Sequence, residues 1–112
     1  MKVVMAYIKS HKLDNVTAVL KSVDGLTGIT VFECRGFGLK WRTSDALHDD
    51  ELLDSRKGVK IEIVCLDSLA DQVVAAIESA AHTGLKGDGK IYVAEISHAV
   101  RISTGETGDG AV

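Results

Sequence analysis

The chain has 112 residues, of which 46% are hydrophobic, and a formal net charge of −3. That length makes one domain able to bury a core without disulfide staples, and the apolar share excludes a disordered segment. The mild negative charge argues against nucleic acid as a partner. With no window of the roughly 18–20 apolar residues that cross a bilayer, and no signal-peptide core, a cytoplasmic protein without direct membrane insertion is expected.

Residues 1–9, MKVVMAYIK, read as a strand rich in valine and apolar neighbours. KLDNVTAVLKSV (12–23) places Leu13, Val16, Val19, Leu20 and Val23 at helical spacing, and the turn DGLTG ends that helix. ITVFECRG (29–36) predicts a second strand, broken by Gly36, Phe37 and Gly38. Residues 39–58 are polar and charged without a clean period, the mark of a long functional or mobile loop.

VKIEIVC (59–65) alternates, with Val59, Ile61 and Ile63 on one face and Lys60 and Glu62 on the other. SLADQVVAAIESAAH predicts a helix capped by Asp67 or Ser68, with Leu69, Val73, Val74, Ile77 and Ala81 as its apolar stripe. KIYVAEI (90–96) is a further strand, a short one is expected near HAVRIS, and residues 104–112 form a tail.

Strand–helix–strand, long loop, strand–helix–strand is the order of a ferredoxin-like α+β domain, a four-stranded antiparallel sheet with both helices on one face. The opposite face then needs a partner, so a homo-oligomer packed through its sheets is expected. In this topology Cys34 and Cys65 would be offset by about four residues, or roughly 13 Å at strand rise. A disulfide tolerates only about 7 Å between Cα atoms, so both thiols are expected to stay free.

TGLKGDGKIYV (83–93) carries the densest chemistry. From Gly84 to Lys90 it fits G-x-x-x-x-G-K, but Ile91 stands where a phosphate-binding P-loop has serine or threonine. The context is also reversed, because a helix leads in and a strand leads out, so the P-loop reading fails. Gly87 and Gly89 still permit close backbone approach and an anion nest, and Lys90 adds charge.

Thr83, Gly87, Asp88, Gly89, Lys90 and Ile91, as T-x-x-x-G-D-G-K-I, closely resemble the C-terminal signature of the PII signal-transduction family. KSHKLDNV (9–16), LTGITVFECRGFG (26–38), VKIEIV (59–64) and RISTGETGDGAV (101–112) resemble its other segments in the same order. The resemblance implies a homotrimer of ferredoxin-like subunits that binds an adenine nucleotide (ATP, ADP or AMP) between subunits. It also implies a protein partner, a membrane transporter or metabolic enzyme, reached through the T-loop at 39–58. By the same resemblance Thr30, Glu62 and Val64 line the adenine pocket, and Gly36, Phe37 and Gly38 border the nucleotide. Gly87, Asp88, Gly89 and Lys90 cradle ribose and phosphates, and Arg101 reaches phosphate across the subunit boundary.

Leu39 and Lys40 replace the family's arginine and glutamine after G-F-G, Ser103 replaces its second C-terminal arginine, and Gly58 stands where it has a carboxylate-binding lysine, with Lys57 one residue back. Each lost cation removes a charge-assisted hydrogen bond of about 1.5–3 kcal/mol. A divergent member with weak or no 2-oxoglutarate response is therefore expected, and the need for magnesium stays open because the glutamine that coordinates it is gone.

In the loop, Leu47, Leu52 and Leu53 are candidate anchors for a partner and Trp41 a candidate contact centre. His48 beside Asp49, Asp50 and Glu51 has no fixed metal-ligand spacing. No nucleophile–base spacing stands out, so no enzyme is expected. The alternatives are a conventional ATP- and 2-oxoglutarate-responsive nitrogen regulator and a nucleotide-independent trimer of the CutA kind.

Overall fold

The computed structural model describes residues 1–37 and 56–112. Strand β1 (Lys2–Lys9) leads through a 3-10 turn into helix α1 (Leu13–Leu20), followed by β2 (Thr30–Gly36), β3 (Arg56–Cys65), helix α2 (Asp67–Ala81) and β4 (Gly89–Glu95). The four strands form one sheet in the order β2-β3-β1-β4. Every pairing is antiparallel. This is the ferredoxin-like α+β architecture expected from the element order.

Alternation decides which face is buried. Val4, Ala6 and Ile8 lie directly opposite Ile63, Ile61 and Val59 across β1 and β3. All six are buried together with Val16 and Leu20 of α1 and Ala70, Val73, Ile77 and Ala81 of α2. Both helices therefore cover one sheet face. Burying each valine or isoleucine there contributes about 1.5–3 kcal/mol. β3 starts at Arg56, three residues before the strand expected from the alternation.

The helices differ in detail from the periodic pattern. α1 stops at Leu20, and the chain tightens into a turn in which the Ser22 hydroxyl donates to the Val19 carbonyl at 2.6 Å. Val23 is still buried, but Val19 is 37% exposed because it sits at the margin of the apolar stripe. Asp67 is the first residue of α2 and makes no cap bond. Its carboxylate instead accepts from the Met1 amine at 2.8 Å and pairs with Lys2 at 3.4 Å. Those charge-assisted partners outcompete the helix N–H groups.

The strand expected near HAVRIS is a hairpin held by one bridge, Val100 to Thr107. The Arg101 N–H donates to the Glu106 carbonyl at 2.9 Å and the Gly105 N–H to the Arg101 carbonyl at 2.8 Å, so a tight turn replaces extended pairing. Cys34 and Cys65 are both free, as expected. The register widens their offset beyond the expected four residues, since Cys34 faces Gly58, at the far end of β3 from Cys65.

Candidate functional site

The glycine loop connects α2 to β4, so its context is helix then strand, and its shape comes from a buttress. The Asp88 carboxylate accepts from the Thr83 N–H at 2.8 Å, the Gly84 N–H at 3.2 Å and the Thr83 hydroxyl. Lys9, at the end of β1, pairs with Asp88 at 3.1 Å. Lys9 also donates to the Thr83 hydroxyl oxygen at 3.3 Å. These donors, the Thr83 hydroxyl foremost, hold the Asp88 carboxyl well below the usual carboxylate range. Asp88 thus faces inward as an internal anion that shapes the loop, a role its place in the motif did not reveal.

Gly87 and Gly89 adopt φ of +83° and +106°, a region that favours glycine. At Gly89 a Cβ would lie 1.6 Å from the Tyr7 carbonyl oxygen, so backbone meets backbone here. The loop then hands Lys90 to the sheet face opposite the helices, where it stands across from Tyr7. Lys90 makes no ion pair with a described residue.

On that open face β2 and β3 present the second group of candidates. Thr30 faces Glu62, and Phe32 faces Lys60. Val64 follows on the same face of β3, 37% exposed. Lys60 pairs with Glu62 at 2.8 Å. Its ammonium lies 5.7 Å from the ring centres of both Tyr7 and Phe32. Tyr7 meets Tyr92 edge-on at 6.0 Å.

The expected site residues therefore fall into two groups. Thr30, Glu62 and Val64 share the β2–β3 side, with Gly36 and Phe37 at the end of β2, while Gly87, Asp88, Gly89 and Lys90 sit at the β4 edge. With strands about 4.8 Å apart, the two edges are separated by about 14 Å, and one row of side chains, Phe32, Lys60, Tyr7 and Lys90, crosses the space between them. Arg101 sits in the C-terminal hairpin, 3.6 Å from the Glu106 carboxylate. Its guanidinium also donates to the Val112 carbonyl at 3.4 Å. Gly38 and loop residues 39–55, with Trp41, His48 and the leucine anchors, lie outside the described residues.

Two further positions bear on the chemistry. Gly58 faces Cys34 on β2 and Lys9 on β1. A Cβ there would sit 3.1 Å from the Ile8 carbonyl oxygen and 3.7 Å from the Cys34 Sγ. Lys57 faces Arg35. Successive strand residues point to opposite faces, so Lys57 projects from the face that Gly58 does not use.

A family model described as "Nitrogen regulatory protein P-II" matches residues 1–106. The chain belongs to the P-II family. Relatives named nitrogen regulatory protein P-II include those of Azospirillum brasilense, 45% identical, and Rhizobium meliloti, 44% identical. The one from Bradyrhizobium diazoefficiens is 46% identical. Each of these alignments spans 113 residues and covers all of both chains. The P-II signature thus extends beyond the glycine loop to every element of the fold.

Proposed function

We propose that this P-II family chain is a signal-transduction regulator, not an enzyme, that senses adenine nucleotides in the cytoplasm. It binds ADP, ATP or AMP in clefts between the subunits of a homotrimer and controls a partner transporter or metabolic enzyme through residues 39–58. The observation that carries this reading is the division of the candidate residues between opposite sheet edges. A base-reading group on β2 and β3 and a phosphate-reading group beside β4 join into one site when the edge of one copy meets the other edge of the next.

The open face supports the same assembly, because Phe32, Val64 and Tyr92 leave it apolar and uncovered. A heterologous edge-to-edge contact that closes after three copies repeats the site three times. Lys90 is available for phosphate, and the positive-φ glycines bring backbone N–H groups close to it. Arg101 exchanges Glu106 for phosphate at the boundary.

The response to 2-oxoglutarate is weak or absent in this reading. Gly58 has no side chain to offer a carboxylate, and the neighbouring Lys57 belongs to the other sheet face. The rival reading is the conventional ATP- and 2-oxoglutarate-responsive nitrogen regulator, favoured by the name its relatives share. Calorimetric titration with ATP, ADP and AMP, each with and without 2-oxoglutarate and magnesium, separates the two. Micromolar nucleotide binding that 2-oxoglutarate leaves unchanged is expected. Tight ATP binding that requires magnesium and strengthens with 2-oxoglutarate would establish the rival, and indifference to all three nucleotides would leave a structural trimer.

A further inference from the structure

Glu62 is half satisfied. Its Oε1 takes the Lys60 ammonium at 2.8 Å, while no described residue donates to its Oε2. The side chain is 35% exposed on the open face, with Thr30 directly opposite. An ionised carboxylate only accepts hydrogen bonds, so the free oxygen selects a donor and repels another acceptor.

Lys60 is itself tightly placed. Tyr7 and Phe32 flank its ammonium at 5.7 Å, and Tyr92 braces Tyr7 from the side. The rings attract the cation through their quadrupoles and limit where it can move. The hydrogen bond to Glu62 raises the Lys60 pKa further above its ordinary value. Phe32, Lys60 and Tyr7 thus form a row across three strands that ends on one fixed carboxylate oxygen.

We propose that Lys60, clasped by Tyr7 and Phe32, is a positioning residue that holds the Glu62 carboxylate oriented to choose a 6-aminopurine over a 6-oxopurine. The exocyclic amino group of adenine donates to Oε2. The carbonyl oxygen of hypoxanthine at the same place meets a second acceptor and leaves both unpaired. This inference rests on the nucleotide reading above and assigns its base selectivity to a residue outside the predicted pocket.

The test compares ADP with IDP, which differ in the group at that ring position. Calorimetric affinities are measured for the wild type, Lys60→Met and Lys60→Arg at one protomer concentration. The wild type favours ADP by about tenfold or more, the usual worth of a hydrogen bond to a charged group. In Lys60→Met the preference falls to about twofold through weaker ADP binding, and Lys60→Arg restores most of it. The ratio of the two affinities cancels any general change in folding or assembly, which would weaken both ligands alike.

A Lys60→Met ratio equal to that of the wild type overturns the inference and leaves the nucleotide reading intact. A wild type that binds both nucleotides equally does the same. A wild type that binds neither overturns both. Should Lys60→Met fail to assemble, Phe32→Leu decides: it keeps the charge pair and removes one ring, and a fall in the ratio of about threefold is expected, against no change if the row does not position Glu62.

Discussion

Replacing Gly89 by alanine should damage the fold more than any other single methyl addition in the glycine loop. The new Cβ would lie 1.6 Å from the Tyr7 carbonyl oxygen and 2.8 Å from its carbon, where ordinary contact begins at 3.4 Å. No rotamer relieves this clash, because Cβ is fixed by the backbone and its neighbour is also backbone. Either β4 moves away from β1 at the Ile8–Gly89 and Tyr7–Lys90 pairs, or Gly89 leaves its φ of +106°. Strain at such a dihedral costs about 1–3 kcal/mol, and each lost backbone hydrogen bond about 1 kcal/mol. The total is about 3–5 kcal/mol. Urea unfolding at fixed protomer concentration reads it as a midpoint lowered by about 2 M, for a slope of about 2 kcal/mol per molar. Gly28→Ala serves as the control, since a Cβ there meets nothing within 4 Å, and its stability should change by less than about 0.5 kcal/mol. A loss below about 1 kcal/mol in Gly89→Ala would refute the reasoning.

Asp88→Asn removes the anion that gathers Thr83, Gly84 and Lys9. Because the folded pKa of Asp88 lies below its unfolded value of about 4, its contribution is fully present above that value and is lost as pH falls through the folded pKa. Urea midpoints of Asp88→Asn should therefore lie below the wild type at pH 7 and converge with it toward pH 2, whereas a pH-independent gap would contradict the role given to the carboxylate. Ile61→Ala empties a fully buried position at the centre of β3 and should cost about 2–5 kcal/mol in the same assay. A change under about 1 kcal/mol would mean that the core is not packed around it.

The element order, the ferredoxin-like class and the buried face of β3 were legible because V-K-I-E-I-V alternates without interruption. Positions that depend on contacts between distant segments were not. Ala70 is buried in the helix core although its small side chain adds little to a periodic signal. Asp67 read as a helix cap, since nothing local shows that the Met1 amine and Lys2 reach it from β1.

The glycine loop divides in the same way. Its positive-φ glycines followed from composition, but the inward turn of Asp88 depends on Lys9, from the opposite end of the chain, and on Thr83. Lys60 was placed correctly on the open face by alternation. Its clasp by Tyr7 and Phe32 required the register of three strands, which no local pattern encodes. The division of the candidate site between two edges likewise emerges only from the strand order β2-β3-β1-β4.

The most direct measurement is complementation between two defective chains. In the proposed function Glu62→Ala removes the base-reading half and Lys90→Ala the phosphate-reading half of a site shared between copies, so each variant alone should bind ADP weakly. When the two are unfolded together, refolded at equal amounts and titrated with ADP, about one quarter of the interfaces should pair an intact β2–β3 side with an intact β4 edge. Tight binding at about that fraction of sites is the predicted result. If the mixture binds no better than its parents, while a wild type refolded in the same way binds normally, the two halves do not meet between copies and the shared site is contradicted.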